Sequence, residues 1–176
     1  MKKVNLADSI RSIPGFPKEG IIFRDITTLI KDKSAFKQSI DLLVKKYKNK
    51  GIDAVVGVES RGFIFGSVIA YKIGAGFVLV RKKGKLPAKT ISATYQLEYG
   101  SDTLEIPQDA IKPGSKVLIV DDLLATGGTV KAVTGLVNQL GGKIAGIAFV
   151  IELVDLKGKE KLKGYPIYSL IKFKGH

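Results

Sequence analysis

The fold is decided by thirteen residues, Val117-Leu118-Ile119-Val120-Asp121-Asp122-Leu123-Leu124-Ala125-Thr126-Gly127-Gly128-Thr129. Residues 117–120 are continuously apolar and mostly β-branched, which is typical of a parallel strand covered on both faces, and the periodicity after Gly128 is helical. The stretch therefore predicts a strand, a loop and a helix. The two acids then lie at the carboxyl end of the strand, where open α/β sheets bind their ligands.

The loop of this stretch is suited to a phosphate group. Gly127 and Gly128 permit positive φ and a close approach of the backbone, so several N–H groups and two threonine hydroxyls can converge on one anion at a helix N-terminus. Asp121 and Asp122 beside it are acceptors for a sugar diol or a hydrated magnesium ion. The stretch by itself predicts a site for a phosphorylated sugar.

The composition restricts the chemistry. The chain has 176 residues and no cysteine, and its single histidine is His176. We expect one domain over residues 1–176, without disulfides, thiolate nucleophiles or zinc–sulfur sites. A histidine at this position does not favour a Ser-His-Asp triad or a multi-histidine metal site. The chemistry is expected to use carboxylates, lysine, arginine, backbone dipoles or an oxygen-bound metal.

The charge and hydropathy bear on partners and location. The formal net charge is +13, but the lysines are scattered over amphipathic segments and turns, without a nucleic-acid-binding signature, so nucleic acid is not expected as the partner. No apolar stretch approaches the ~18 residues that cross a membrane. Because Asp8 and Arg11 interrupt the N-terminal region before a hydrophobic signal segment can form, we expect a cytoplasmic protein.

Strands and helices are predicted to alternate along the chain. A short helix is expected at 6–12, then a strand at 21–23 and a helix that Ser34 caps and Gly51 ends. Further strands are predicted at 54–58, 76–80, 117–120, 144–153 and 167–171, helices at 61–73 and 130–140, and a hairpin at 91–106. Successive strand–helix units imply right-handed crossovers. The expected fold is α/β, an open and mostly parallel sheet flanked by helices.

Five other segments occur in an order that matches a known family. They are Pro17-Lys18-Glu19-Gly20-Ile21-Ile22-Phe23-Arg24-Asp25-Ile26-Thr27, Glu59-Ser60-Arg61-Gly62-Phe63, Arg81-Lys82-Lys83-Gly84-Lys85-Leu86-Pro87, Tyr95-Gln96-Leu97-Glu98-Tyr99-Gly100 and Asp155-Leu156-Lys157-Gly158. With 117–129, which resembles the 5-phosphoribosyl-1-pyrophosphate (PRPP) motif of type I phosphoribosyltransferases, they resemble the adenine phosphoribosyltransferases over nearly the whole chain.

This resemblance implies a reaction and an architecture. The reaction is transfer of the 5-phosphoribosyl group from PRPP to N9 of adenine, which gives AMP and pyrophosphate, requires Mg²⁺ and belongs to purine salvage. The architecture is the type I phosphoribosyltransferase fold, with a small N-terminal hood mainly at 1–30 and a flexible flap hairpin at about 82–106. The resemblance also implies a homodimer.

The resemblance assigns residues to each part of the substrates. The 5-phosphate would be held by Ala125, Thr126, Gly127, Gly128 and Thr129. The ribose would face Asp121 and Asp122, near a Mg²⁺ ion held mainly by PRPP and water. The residues implied for pyrophosphate are Glu59, Ser60, Arg61, Arg81, Lys82 and Lys85. Those implied for adenine are Ile22, Phe23, Arg24 and Leu123.

Two residues of the predicted flap are implied to act during closure. Glu98 is the catalytic candidate. It would take or share a purine proton, or stabilise positive charge on an oxocarbenium-like ribose, and the residues leave both roles open. Tyr99 would close over the site.

Two alternatives remain at the level of sequence. A phosphoribosyltransferase for hypoxanthine, guanine or xanthine would keep the PRPP site, although Leu123-Leu124-Ala125 and Phe23-Arg24-Asp25 favour adenine. A regulator that senses PRPP or a nucleotide would use the same scaffold. The presence of Glu98 in the flap argues against such a regulator, which needs no group over the reacting carbon.

Overall fold

The computed structural model describes residues 4–96 and 100–175. Its strands are β1 (Arg11–Pro14), β2 (Ile22–Asp25), β3 (Ala54–Val58), β4 (Gly76–Lys82), β5 (Thr90–Gln96), β6 (Ser101–Pro107), β7 (Lys116–Leu124), β8 (Lys143–Leu153) and β9 (Ile167–Phe173). Its helices are α1 (Thr27–Lys31), α2 (Lys33–Tyr47), α3 (Gly62–Ile73) and α4 (Gly128–Gln139). Two short 3₁₀ helices, Val154–Leu156 and Gly158–Leu162, connect β8 to β9.

Seven strands form the central sheet, in the order β5-β6-β4-β3-β7-β8-β9. Strands β4, β3, β7, β8 and β9 are parallel, and β6 is antiparallel to both β4 and β5. Strands β1 and β2 form a separate antiparallel pair, here called the hood. The observed sheet confirms the predicted α/β class, and the β5–β6 pair confirms the predicted hairpin.

The alternation of side chains along β7 explains why helices cover both faces of the sheet. Leu118 and Val120 are buried with Phe65 of α3, whereas Ile119 is buried with Leu136 of α4. Each apolar residue of the strand therefore enters one of two cores, as expected for a parallel strand without a solvent face. This burial fixes the position of β7, and with it the two aspartates at its end.

The helix predicted at 6–12 is wrong. Residues 6–9 form turns, and Arg11 starts β1, where it pairs with Asp25 in register and through an ion pair. A helix this short is marginal by itself because its nucleation is unfavourable. Pairing with β2 supplies backbone hydrogen bonds that the sequence pattern did not reveal.

Two predicted element boundaries are also corrected. The cap of α2 is Asp32, whose Oδ1 accepts hydrogen bonds from the backbone N–H groups of Ser34 and Ala35 at 2.8 Å each. Strand β7 continues to Leu124, so Asp121 and Asp122 belong to the strand instead of the loop. Pairing of β7 with β8 through Leu124 and Glu152 extends the strand past the acids.

Candidate active site

A cavity of about 430 Å³ opens at the carboxyl ends of β3 and β7. The predicted site residues that line it are Glu59, Ser60, Arg61, Lys82, Asp121, Asp122, Leu123, Ala125, Thr126, Gly127, Gly128 and Thr129. They come from β7, from the loops after β3 and β7, from the start of α4 and from the end of β4. The structure thus brings the phosphate loop, both aspartates and part of the basic set around one space.

The phosphate loop, Ala125–Thr129, depends on close backbone packing. Gly127 has φ +78° and caps α4, which begins at Gly128. A Cβ atom on Gly127 would lie 2.5 Å from the carbonyl oxygen of Gly158, and one on Gly158 would lie 2.2 Å from that of Ala125. No side chain fits between these backbones. Gly158 therefore supports the loop from the segment after β8, and the N-terminus of α4 faces the cavity with its favourable dipole.

The two aspartates are buried although their side chains are ionisable. Asp121 and Asp122 are only 9% and 4% exposed, and the Asp122 N–H donates to Oδ1 of Asp121 at 2.9 Å. Burial and the neighbouring carboxylate raise the pKa of Asp121 well above its usual value. Burial also raises the pKa of Asp122, although Arg61 acts in the opposite direction. Such a pair attracts hydroxyl donors or a cation, because either relieves the cost of the buried charge.

Arg61 is brought to Asp122 by the glycine that follows it. The Nε atom of Arg61 lies 2.7 Å from Oδ2 of Asp122. A Cβ atom on Gly62 would lie 2.8 Å from the carbonyl oxygen of Val120 and 3.0 Å from Oδ1 of Asp121. The absence of a side chain there allows the start of α3 to approach β7. This approach connects the basic loop after β3 to the acids.

The basic residues of the site are paired with carboxylates. Glu59 lies 3.3 Å from Nε of Arg81, contacts the Lys85 ammonium and accepts a 2.9 Å hydrogen bond from the Lys82 N–H. Burial opposes ionisation of Glu59, but hydrogen bonds from Lys85 and Lys82 outweigh it and lower the pKa. The Lys82 ammonium lies 2.9 Å from Oδ2 of Asp102. Glu59 thus connects the basic residues of β4 and of the turn after it, and its predicted place at the pyrophosphate stays a prediction.

Some predicted site residues lie outside this cavity in the described part of the chain. Arg81 and Lys85 lie behind Glu59 and do not line the cavity. Glu98 and Tyr99 fall outside the described residues. Their assigned roles stay predictions.

The hood residues predicted to contact adenine are only partly brought to the cavity. Leu123 lines it, and the Phe23 ring centroid lies 5.4 Å from Cζ of Arg61. Ile22 is half-buried in β2. The Arg24 side chain donates to Ser12 Oγ and, at 3.1 Å, to the Gly175 carbonyl, and it stacks on Phe173 at 4.2 Å. It is therefore directed to the end of β9.

The sequence prediction missed four residues that line the cavity, Tyr95, Asp102, Leu124 and Val130. Tyr95 and Asp102 are directly opposite each other in the β5–β6 register. A Cβ atom on Gly128 would lie 3.5 Å from the Gln96 carbonyl oxygen and 3.8 Å from Cδ2 of Tyr95. The hairpin therefore stands against the start of α4. The observed register pairs Gln96 with Ser101, so counting outward from Gly100 would have placed Tyr95 opposite residue 105, and no local signal gave the contact with α4.

Comparison with known proteins agrees with this geometry. The phosphoribosyl transferase domain model matches residues 27–174. An adenine phosphoribosyltransferase of Clostridium kluyveri is 61% identical over 170 residues, which are 97% of this chain and 99% of that protein. The chain belongs to the adenine phosphoribosyltransferase family.

Solved structures of the family have the same fold. The crystal structure of adenine phosphoribosyltransferase from Thermoanaerobacter pseudethanolicus has a TM-score of 0.92 and 54% identity, covering 96% of this chain and 98% of that one. The Saccharomyces cerevisiae enzyme, complexed with D-2,5-dideoxy-2,5-imino-altritol 1,6-bisphosphate and adenine, has a TM-score of 0.88 and 44% identity, covering 94% and 96%.

Membership of the adenine phosphoribosyltransferase family confirms the enzyme class, the fold and the function predicted from the sequence. Enzymes of this family make AMP and pyrophosphate from PRPP and adenine, a step of purine salvage. Among residues 4–96 and 100–175, no helix is long and apolar enough to cross a membrane.

Proposed function

We propose that the chain transfers the 5-phosphoribosyl group from PRPP to adenine in the cavity at the ends of β3 and β7. The observation that carries this proposal is the convergence of the phosphate loop, two buried aspartates and Arg61 around one space of about 430 Å³. These groups match the anionic and hydroxyl parts of PRPP in the order in which they occur along the molecule.

PRPP would be bound along the cavity. The 5-phosphate accepts hydrogen bonds from the backbone and hydroxyl groups of Ala125–Thr129, at the N-terminus of α4. The ribose hydroxyls donate to Asp121 and Asp122. The pyrophosphate binds Ser60, Arg61 and Lys82. Arg81 and Lys85, which pair with Glu59, lie behind these residues. Because Arg61 already lies 2.7 Å from Asp122, the groups proposed for the pyrophosphate and for the ribose hydroxyls are next to each other.

Magnesium fits this site as part of the substrate complex. Mg²⁺ prefers oxygen ligands and keeps several waters when it binds with phosphates. Within the described ranges, no group of three or more His, Cys, Asp or Glu side chains forms a metal site. PRPP and water would therefore supply most ligands, near the Asp121 and Asp122 carboxylates. The ion would neutralise charge on the departing pyrophosphate.

The reaction exchanges one bond at C1 of the ribose. Adenine N9 forms a bond to C1 while the bond from C1 to the pyrophosphate oxygen breaks, and pyrophosphate leaves with the electron pair. The N9 proton passes to an acceptor, and Glu98 is the proposed one, as the family resemblance implies. Gln96, the last described residue before it, has its carbonyl oxygen 3.5 Å from the position that a Cβ atom on Gly128 would take.

Adenine would bind between Leu123 and the hood. Leu123 lines the cavity, and Phe23 lies next to Arg61, so apolar groups flank the space on two sides. Ile22 and Arg24 would contribute backbone groups that read the edge of the base. The Arg24 side chain is already engaged with Gly175 and Phe173, so its proposed role is to hold the hood.

A homodimer is the proposed assembly, and the cytoplasm is the proposed location. Exposed apolar side chains on α3 and β4 support the dimer: Tyr71 is 86% exposed, Leu79 is 37% exposed, and Phe63 packs edge-on against Phe77. Exposed apolar patches commonly mark protein interfaces. Phe63 follows Arg61 by two residues, so a partner on this face would lie close to the pyrophosphate site.

The reaction is tested with purified protein, PRPP and Mg²⁺, supplied in turn with adenine, hypoxanthine, guanine and xanthine. We expect AMP and pyrophosphate in equal amounts from adenine, with slower or no turnover of the other bases, and loss of turnover when Mg²⁺ is chelated. Failure to form AMP from adenine would overturn the proposal. PRPP binding without turnover of any base would favour the regulator instead.

A further inference from the structure

Among the basic pyrophosphate candidates, Lys82 has the most exposed side chain. It is the last residue of β4, its side chain is 55% exposed, and it precedes the turn that contains Lys83 and Gly84. A lysine side chain has many rotamers, and binding an anion restricts them. Any group that already holds this side chain in the binding direction would reduce that cost.

Asp102 holds Lys82 from the neighbouring strand. In the β4–β6 pair, Lys82 is opposite Leu104, so Asp102 occupies the diagonal position and both side chains share one face. Oδ2 of Asp102 lies 2.9 Å from Nζ of Lys82, while Oδ1 accepts a 2.8 Å hydrogen bond from the Thr103 N–H. The carboxylate is thus fixed at one oxygen and binds the ammonium with the other.

The charge of the pair is suited to ligand binding. Hydrogen bonding to Asp102 raises the pKa of Lys82, and the same bond lowers the pKa of Asp102, so both groups are ionised at neutral pH. An ammonium group has three donors. Asp102 takes one of them, and the others can donate to oxygens of a bound phosphate. Both residues line the same cavity as the phosphate loop.

We propose that Asp102 is a positioning residue that holds the Lys82 ammonium towards the pyrophosphate of PRPP. The proposal rests on the proposed function of Lys82 as a pyrophosphate ligand. It assigns a task to a residue of the hairpin that was not among the predicted site residues. The opposite possibility is that Asp102 competes with PRPP for Lys82 and thereby weakens the binding of PRPP.

The test compares Asp102→Asn with Asp109→Asn, which removes the same charge from an exposed turn after β6. Steady-state kinetics would give kcat and KM for each substrate, and pyrophosphate inhibition would give its Ki. For Asp102→Asn, we expect KM for PRPP and Ki for pyrophosphate to rise about threefold to fivefold, the range of partly exposed ion pairs. KM for adenine and kcat should stay within about twofold, and Asp109→Asn should match the wild type.

Two further variants separate positioning from general damage. Asp102→Glu keeps the charge, so it should recover at least part of the PRPP affinity lost in Asp102→Asn. Lys82→Ala should raise KM for PRPP by about tenfold or more, because it removes a charged donor. Asp102→Asn combined with Lys82→Ala should then have no additional effect, because Asp102 acts through Lys82.

The outcomes distinguish the two levels of proposal. Normal PRPP kinetics in Lys82→Ala would contradict the role of Lys82, even if the enzyme makes AMP. An impaired Lys82→Ala enzyme beside a normal Asp102→Asn enzyme would overturn the proposal for Asp102 alone. Tighter PRPP binding in Asp102→Asn would also overturn it and would show competition. A parallel rise in the KM of adenine would indicate structural damage and contradict positioning.

Discussion

Two buried aspartates show how differently the hood and the PRPP side of the cavity are built. Asp25, in the hood, receives hydrogen bonds from Arg11 and from the backbone and hydroxyl of Thr27, which lower its pKa to about 2. Asp121, at the end of β7, is buried beside another carboxylate, and its pKa is raised. The first aspartate stabilises the folded chain at neutral pH, whereas the second costs stability there.

Asp25 has a structural role, whereas Asp121 is placed to interact with a ligand. The partners of Asp25 are all within the protein, and they join β1, β2 and the start of α1. Asp121 accepts a hydrogen bond from Asp122 but otherwise faces the cavity with Asp122 and Arg61. A buried group with a perturbed pKa in a cleft is a characteristic of functional sites. The PRPP side therefore keeps an unfavourable charge that substrate hydroxyls or Mg²⁺ would relieve.

The largest effect is expected for Glu98, because its proposed role is in the reaction between the two substrates. Replacing Glu98 with Leu should lower kcat by about 100-fold or more, within the range for loss of a proton-transfer group. The KM values of both substrates should change much less. Single-turnover and steady-state assays would measure this, and Glu98→Gln, which keeps the shape, should show a similar loss. Near-wild-type turnover of the Leu variant would remove Glu98 from the chemistry.

The two aspartates themselves should respond in opposite directions. At neutral pH, Asp25→Asn should lower the free energy of unfolding by about 2 kcal/mol, and Asp121→Asn should raise it. The Asn at 121 can still accept from the Asp122 N–H. Urea unfolding followed by circular dichroism would measure both changes.

The two aspartates should also affect the pH dependence of stability in opposite directions. The pKa of Asp25 is lowered, so its contribution is present above the unfolded pKa of about 4 and is lost as the pH falls through the folded value of about 2. The pKa of Asp121 is raised, so its cost is present at neutral pH and disappears as the pH falls below about 4, where the carboxyl is protonated in both states. Equal signs for the two variants at neutral pH would contradict the comparison.

Gly158 tests whether the phosphate loop is positioned from outside the 117–129 stretch. A Cβ atom at Gly158 would overlap the Ala125 carbonyl, so Gly158→Ala must displace the loop. We expect kcat/KM for PRPP to fall about tenfold or more, because small displacements of binding groups are costly. Gly135→Ala is the matched control, since no atom lies within 4 Å of the added Cβ in α4. Normal PRPP kinetics in Gly158→Ala would show that the loop does not depend on this support.

The smallest effect is expected at the hood. Arg24→Ala removes the contacts to Ser12, Gly175 and Phe173 that tie β2 to the end of β9. KM for adenine should rise about threefold to fivefold, consistent with the loss of a partly exposed cation–π contact and its hydrogen bonds. KM for PRPP should stay unchanged. Lys174→Ala, which removes an exposed charge beside Gly175, should have no effect on either constant.

Separate effects of Gly158→Ala on PRPP and of Arg24→Ala on adenine would show that the two sides of the cavity bind different substrates. A change at Arg24 that raised KM for PRPP and adenine alike would show that the hood is coupled to the main sheet and is not an independent support. The difference between the two regions would then be limited to the stability effects of Asp25 and Asp121. Measurements of both KM values in the same variants are therefore required.

The strand, loop and helix around 117–129 could be predicted because their information is local. The apolar run before Asp121, the adjacent acids and the two glycines are contiguous, and each implies its conformation through burial or φ. The hood was not predictable in the same way. Its β1 strand forms because Arg11 meets Asp25 across a turn, and the short-range pattern at 6–12 favoured a helix instead.

Contacts between distant segments could not be predicted either, because short-range sequence patterns do not contain them. Asp102 and Lys82 are 20 residues apart, and Gly158 reaches Ala125 and Gly127 from beyond β8. Distances between these residues cannot be read from the sequence, since strand order and register determine which side chains become neighbours. The resemblance supplied the family roles of individual residues but not these supporting contacts.

The α/β class and the strand, loop and helix around 117–129 could be inferred from the sequence, since burial of an apolar strand and the freedom of glycine are local properties. The family followed from the order of the motifs. The tertiary structure decided which carboxylate each basic residue meets, how Gly158 supports the loop and where the Arg24 side chain lies. These depend on packing between segments far apart in the chain. Their energies arise only after the sheet has brought the segments together.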